Sequence, residues 1–415
     1  MPIKNTRLNI KNEQFINVID RCLVPKLAKF YEEADEYPEF QTRNNYLGDN
    51  FPIILKNLQN FTKNELQKNP TGVAILIILY YELNSNAKWN TPRLTDIAKK
   101  LNEVFIKITD ISLESVFISN NSFDSEIVFY ECFEMLHLKL TSDNIRLYPT
   151  QVLVYCKLLE NIQNYYMALI PSKIFPITLL LIEDSSNFYK RKGLHCCSVL
   201  LKCLKTEDFK NGNYYEVIFK TLIRNLCEKD LDLLKLTLSS ILQLCKILPE
   251  FIKSNKLDEL YISCLDQISM ESNLYRKVEY FNFISNVITI HKEKCCNKSL
   301  FKHIVYQNLD ICTNTTVIEI ICKPLLLCLE QWIVYCWPVW KYSLDHKMLS
   351  SLLKVLYVCK EEILVNLIQK IIVILISLCT PIEQKQLLHH LEKYQDIQCD
   401  FYSNKVEKII SVFKM

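Results

Sequence analysis

The sequence predicts an all-α fold of the α-α superhelix class, a HEAT/armadillo-like stack of helical hairpins. Three observations predict it. The hexad Ser186-Asn187-Phe188-Tyr189-Lys190-Arg191 nearly recurs as Ser272-Asn273-Leu274-Tyr275-Arg276-Lys277, an offset of 272 − 186 = 86, or twice 43. Steps of 43 from Ser186 land on Lys229, Ser272, Thr315 and Tyr357-Val358, each a residue or so before an apolar-periodic run. That period lies inside the roughly 40–47 residues of HEAT and armadillo repeats. Glycine is scarce, with only Gly48, Gly72, Gly193 and Gly212 in 415 residues. Tight hairpin turns and phosphate-cradling loops draw on glycine for positive φ, so β-rich and nucleotide-binding folds are disfavoured. Apolar residues make up 49% of the chain, ample for one continuous core in which each repeat touches only its neighbours.

Residues 1–145 read as divergent helical repeats and 146–415 as the regular solenoid. In the first part, Asn, Asp, Ser and Tyr crowd Tyr37 to Asn50, which makes that stretch the candidate for a mobile segment. Lys63 to Thr71 and Ser119 to Ser125 read as polar breaks, and Thr91-Pro92 starts a helix reaching about Ile108. From Pro171 the helical grammar is plainer. Pro176 to Ile182 reads as a short apolar helix, and the turn Glu183-Asp184-Ser185-Ser186 offers caps for a second helix from Phe188 to Leu204. A side-chain oxygen there can accept the unpaired amide hydrogens of the second helix. Gly193 falls inside that helix, where it costs about 1 kcal/mol against alanine, so close helix–helix packing is the reason expected for it. Tyr189 and Tyr275, matched by the repeat, read as packing residues between rungs.

Farther on, Asp230 caps a helix running to Leu248, where Pro249 ends it. Leu257 to Ile268 pairs with Leu274 to Ile290. Thr315-Thr316 caps a helix to Trp337, kinked at Pro324 and stopped by Pro338. Thr380-Pro381-Ile382-Glu383 combines an N-cap, a proline at the first helical position and a capping-box glutamate. An amphipathic helix from Asn404 to Phe413 closes the stack. The pattern predicts a right-handed stack of about nine antiparallel pairs, with helix starts near Phe188, Leu231, Leu274, Thr316 and Cys359.

Net charge is +3. The one compact basic run, Lys190-Arg191-Lys192, and the acidic run Glu32-Glu33-Ala34-Asp35-Glu36 are too small to argue for nucleic acid or a charged membrane. The longest apolar runs, Val73 to Tyr81 and Ile371 to Leu378, have about half the length of a membrane span. Eighteen cysteines contain no C-x-x-C pair and fall mostly in apolar stretches, where they act as small hydrophobes. No apolar signal-peptide core follows Met1-Pro2-Ile3-Lys4, so an intracellular chain with free thiols, no disulfide and no metal is expected. The best metal candidate is His291 with Cys295, Cys296 and His303, and helix-end packing is the preferred reading of these residues. Clustered glycines, a G-x-S-x-G elbow and an H-E-x-x-H motif are all missing from the sequence, so no catalytic residue and no cofactor site is nominated. The aromatic cluster Trp332, Tyr335, Trp337, Pro338, Trp340, Tyr342 carries two readings, a core plug or a protein-contact hot spot. Trp332, Trp337, Pro338 and Trp340 are the candidate contact residues.

Several segments carry a family resemblance. Leu180-Leu181-Ile182-Glu183-Asp184 followed by Tyr189-Lys190-Arg191-Lys192-Gly193-Leu194 resembles the "apolar-apolar-Asp-Asp … Lys-x-x-Gly" segment of the Tti-two family, the second Tel-two-interacting protein. Tyr214 to Leu222 is similar to that family's following helix. Met270-Glu271-Ser272-Asn273-Leu274-Tyr275-Arg276-Lys277 is similar to its glutamate-rich turn before Leu-Arg-Arg, and Cys336-Trp337-Pro338 to its small residue before Trp-Pro. The chain departs at Glu183, where the family more often has Asp, and at Val339-Trp340. The resemblance covers about residues 150–345 and implies a non-enzymatic subunit of the Triple-T cochaperone complex. Its implied partners are Tti-one and Tel-two and, through them, phosphatidylinositol-3-kinase-related kinases and the ninety-kilodalton heat-shock chaperone. The implied location is the cytoplasm, with the nucleus second. The competing class is an importin-like carrier or coat-adaptor subunit, but the periodic Trp/Asn groove of carriers has no counterpart in this sequence.

Overall fold

The computed structural model describes residues 12–29, 37–118, 123–165, 167–209, 212–341, 347–395 and 400–414, and every regular element among them is helical. The fold is all-α, of the helical-repeat class. It divides into two compact units, residues 1–221 and 222–415. This is a partition by packing, distinct from the division by repeat regularity at 145/146. The acidic run 32–36, residues 119–122 of the expected break and Tyr342 lie outside the described residues.

The first unit begins with α1 (12–20), α2 (Pro38–Gln59), α3 (Lys63–Gln67), α4 (Pro70–Leu83) and α5 (Pro92–Thr109). It continues with α6 (Ser125–Lys139), α7 (Pro149–Glu160), α8 (Pro171–Glu183), α9 (Asn187–Cys203) and α10 (Tyr214–Arg224), within which the unit boundary falls. Its centre is α4, where every residue from Gly72 to Leu83 is buried. A helix apolar all round belongs in a core, and α4 packs on α5, α6 and α7. α7 in turn packs on α9, while α6 packs on α8 and α8 pairs with α9, so two layers of helices face each other. No helix among the described residues is long and apolar enough to cross a membrane.

Tyr37 to Asn50 opens a regular helix. Tyr37 is the N-cap residue of α2, which buries Phe40, Arg43, Leu47, Phe51, Ile54 and Leu58 at helical spacing. Arg43 disguises that stripe as polar, and its partner lies on another helix. The Arg43 guanidinium sits 3.3 Å from the Glu82 carboxylate, and both side chains are fully buried. Glu82 also accepts from the Val24 N–H at 2.9 Å and from Gln151 Nε2 at 2.7 Å. Lys63 to Thr71, expected as a polar break, holds α3 and the start of α4: Thr62 and Glu65 form a capping box for α3, and Asn69 caps α4.

The second unit holds α11 (Leu231–Ile247), α12 (Glu250–Met270), α13 (Leu274–His291), α14 (Leu300–Ile311) and α15 (Thr315–Val317). A π-helical turn, Ile318–Cys322, leads into α16 (Lys323–Lys341), followed by α17 (Lys347–Val358), α18 (Glu362–Ser377), α19 (Pro381–Gln395) and α20 (Asp400–Lys414). α11, α13, α16, α18 and α20 form one layer, each packed on the next; α12, α14 and α17 form the other. α12 pairs with α13, α17 with α18 and α19 with α20.

The repeat-derived starts agree with the helices, which begin at Asn187, Leu231, Leu274, Thr315 and Glu362. Asp230 caps α11 by accepting from Asp232 N and Leu233 N, both at 3.0 Å. Thr380 and Glu383 form the expected capping box, with Thr380 N donating to Glu383 Oε2 at 2.8 Å. Other boundaries need correction. α8 begins at Pro171 and carries Pro176 inside it, because Ile174, Phe175 and Ile177 bury the helix through that position. α12 begins at Glu250, well before Leu257; its first turn is exposed at Phe251, so no apolar period marks it. Asn314, not Thr315-Thr316, caps α15, accepting from Thr316 N at 2.9 Å. The wider π turn precedes Pro324 and takes the place of the expected kink. Pro338 does not stop the helix, since α16 runs to Lys341 across a kink at Cys336 (φ −116°, ψ 17°). A proline removes one helical hydrogen bond and crowds the preceding turn, and buried packing on both sides carries α16 through.

Candidate protein-contact surface

The repeat signature shows first what the matched residues do. Ser186 caps α9, accepting from Phe188 N at 3.2 Å, and Asp184 Oδ1 accepts from Ser186 N at 2.7 Å. Both Asp184 oxygens hold Arg146 in a bidentate pair, at 2.8 Å from Nε and from Nη2. Tyr189 is fully buried, and its hydroxyl donates to the Arg146 carbonyl at 3.4 Å. Lys190 is half-buried and Arg191 exposed. The second copy is shifted by one residue. There Asn273 is the N-cap, accepting from Arg276 N at 3.1 Å, and Ser272 lies just outside the helix, exposed. Tyr275 is therefore the second helical residue, where Tyr189 is the third. One residue turns a side chain by about 100° around a helix, and Tyr275 is 60% exposed. Its reading as a packing residue is corrected. The third position belongs to Arg276, which pairs with Glu271 at 3.0 Å.

The aromatic cluster separates. Trp332 and Trp340 are buried, which corrects their reading as contact residues. Trp332 stacks on Phe301 with ring centroids 5.3 Å apart, and Trp340 Nε1 donates to the Leu375 carbonyl at 3.0 Å, fastening α16 to α18. Pro338 is half-buried and Trp337 is the exposed member of the set. The helical period explains this division: Trp332, Cys336 and Trp340, four residues apart, share the buried face, and Trp337 turns off it.

A larger surface lies farther along the second unit. Between α17 and α19 lies an apolar groove of about 570 Å³. Leu353 and Tyr357 of α17, Leu387 and Leu391 of α19 and Tyr402 of α20 wall it, and Ile372 and Ile376 of α18 form its floor. Along α19 only Leu391 is fully buried among the residues with described side chains, so this helix lies loosely over the stack. α20 is held firmly: buried Lys405 donates to the carbonyls of Leu356 (2.7 Å) and Cys359 (2.5 Å), pairing its charge with the C-terminal end of α17. Exposed Tyr357, Ile363, Ile382 and Phe401 add apolar area on the same four helices. Nothing in the repeat pattern marks this groove, which depends on the separation of two helices and not on any motif.

The metal candidate dissolves into packing. His291 is buried with Nε2 3.0 Å from Asp258 Oδ1, Cys295 is buried, and His303 Nε2 bonds Gln307 at 3.0 Å. Among the described residues, no three His, Cys, Asp or Glu side chains are grouped to hold a metal ion.

No protein-family model matches the chain, and no curated protein matches it. Among solved structures, the chain is similar to an engineered protein at 9% identity, over 98% of this chain and 99% of that one, with a TM-score of 0.44. It is also similar to a chain from a structure of microtubule polymerases with tumor overexpressed gene (TOG) domain arrays. That match has 10% identity over 98% of this chain and 97% of that one, with a TM-score of 0.38.

Proposed function

We propose that this chain is a non-enzymatic scaffold that holds a partner protein along its second unit, as the Tti-two-like subunit of a Triple-T cochaperone complex. The observation that carries the holding role is the open apolar groove between α17 and α19. A groove floored by aliphatic side chains and walled by tyrosines and leucines suits the apolar stripe of an amphipathic helix, anchored every third or fourth residue. With a net charge of +3, long-range steering is weak, and affinity rests on shape matching of apolar surface. Buried Arg43 and Glu82 pair with each other, and buried His291 pairs with part-exposed Asp258, so these groups serve packing.

The assignment to Triple-T rests on the family-like residues and on the parts they play. Asp184 orders the turn before α9, Gly193 lets two helices touch, and Trp337-Pro338 follows the kink at Cys336. The partners are then Tti-one and Tel-two homologues, and the clients are phosphatidylinositol-3-kinase-related kinases, in the cytoplasm and secondarily the nucleus. Affinity purification of the tagged chain with mass spectrometry tests this. Stoichiometric Tti-one and Tel-two homologues are the expected result; cargo with a Ran-type GTPase, or coat subunits, would replace it with a transport role.

A further inference from the structure

The first unit holds a thiol pair with unusual surroundings. Cys156 on α7 and Cys196 on α9 face each other across packed helices, and Cys196 Sγ donates to Cys156 Sγ at 3.6 Å. Cys156 is half-buried, whereas Cys196 is 2% exposed. Lys192, one turn before Cys196 on α9, brings a positive charge toward Cys156. The S–H donor of Cys196 and the Lys192 cation together hold the Cys156 thiol below its ordinary range. Burial and Glu160 push the Cys156 thiol the other way without prevailing, whereas burial is the main cause raising Cys197, Cys245 and Cys295 to about 12. Those thiols are packing groups, while Cys156 has the Cys196 sulfur 3.6 Å away, itself held well above its ordinary range by the shared hydrogen bond and by burial, as the thiol that can resolve it.

We propose that Cys156 and Cys196 form a hydroperoxide-sensitive pair that closes into a disulfide joining α7 to α9. The Cys156 thiolate attacks one peroxide oxygen; an S–O bond forms, the O–O bond breaks, and two electrons pass from sulfur to the peroxide. The departing hydroxide takes up a proton and leaves as water, giving a sulfenic acid on Cys156. Cys196 sulfur then attacks Cys156 sulfur, the S–O bond breaks, and the hydroxide leaves with the Cys196 proton as a second water. Two thiols and one hydrogen peroxide become one disulfide and two waters. The sulfurs must close from 3.6 Å to about 2.05 Å, a shift within reach of side-chain rotation plus a small adjustment of two helices. The bond pins neighbouring rungs of the first unit together.

The purified full chain, treated with hydrogen peroxide and mapped under non-reducing conditions, is expected to yield a peptide pair linked through Cys156 and Cys196. Exposed Cys227 is the internal reference, and Cys156 is expected to react about tenfold faster. The Cys196→Ser variant should accumulate a dimedone-reactive sulfenic acid on Cys156, and Cys156→Ser should leave Cys196 unmodified. Oxidation of Cys227 without any linked Cys156–Cys196 peptide in the wild-type chain overturns the proposal, as does a Cys196→Ser variant that folds and gives no adduct on Cys156.

Discussion

Gly193 in α9 lies against Leu181 in α8 so closely that a Cβ at position 193 would stand 2.7 Å from the Leu181 Cβ and 2.6 Å from the Ile182 nitrogen. The two helices touch backbone to backbone at this point, and the space belongs to the missing side chain. This is why a helix-weakening residue sits in the middle of a seventeen-residue helix.

Gly193→Ala sets two effects against each other. Alanine gains about 1 kcal/mol of helix propensity, while overpacking typically costs 1–3 kcal/mol, more where backbone cannot step aside. Because the obstructing atoms include the α8 backbone, overpacking wins, and we expect a net loss of about 1–2 kcal/mol by urea denaturation. Equal or higher stability in the variant would mean that the helices part without strain.

The two tyrosines of the repeat should behave unequally. Tyr189→Ala empties a fully buried site and should cost about 3–5 kcal/mol, as for other large aromatic truncations. Tyr275→Ala, at an exposed site, should stay within about 0.5 kcal/mol of wild type. Equal losses in thermal melts would contradict the one-residue shift between the copies.

That shift marks the limit of what the sequence makes legible. Caps such as Asp230 and Thr380 with Glu383 can be read directly, because capping demands particular side chains at fixed offsets from a helix start. Whether Ser272 or Asn273 takes the cap cannot, since either can accept the amide hydrogens and only packing against the preceding rung decides. The stripe of α2 is hidden by Arg43, whose neutralising partner Glu82 lies on α4. The division of Trp332, Trp337 and Trp340 follows the helical period only because α16 continues past Pro338, where the sequence suggests a stop. The groove beside Tyr357 is wholly tertiary, set by how far α19 stands from α17.

The tryptophans give a paired test. Trp340→Ala loses its bond to the Leu375 carbonyl and its burial, and should cost about 3–5 kcal/mol with a lowered thermal midpoint. Trp337→Ala, at a 40% exposed site, should cost clearly less than Trp340→Ala. A Trp340→Ala chain as stable as wild type would show that α16 and α18 are held by other contacts.

Stability should also report His137. Burial holds this imidazole below its ordinary value, partly offset by Glu134, and its Nε2 is buried without a hydrogen-bond partner. The unfolded chain therefore binds this proton more readily than the folded one. The histidine's contribution is fully present above its ordinary value near 6.5 and is lost as pH falls through the lower folded value. Wild type should lose more midpoint temperature than His137→Leu between about pH 7.5 and pH 5. Parallel curves for the two proteins would show that His137 takes up its proton as easily folded as unfolded.

Affinity capture of the tagged full chain, with wild type and a Leu353→Glu, Tyr357→Ala double variant compared by quantitative mass spectrometry, tests the scaffold function most directly. Leu353 is half-buried and Tyr357 exposed, so the variant should keep the wild-type helical circular-dichroism spectrum. A charge in the groove and the loss of a tyrosine anchor should weaken the complex by about 2 kcal/mol or more, roughly a thirtyfold loss of the Tti-one homologue. Full recovery of that partner by a folded variant, or its absence from the wild-type capture, would contradict a partner-holding groove between α17 and α19.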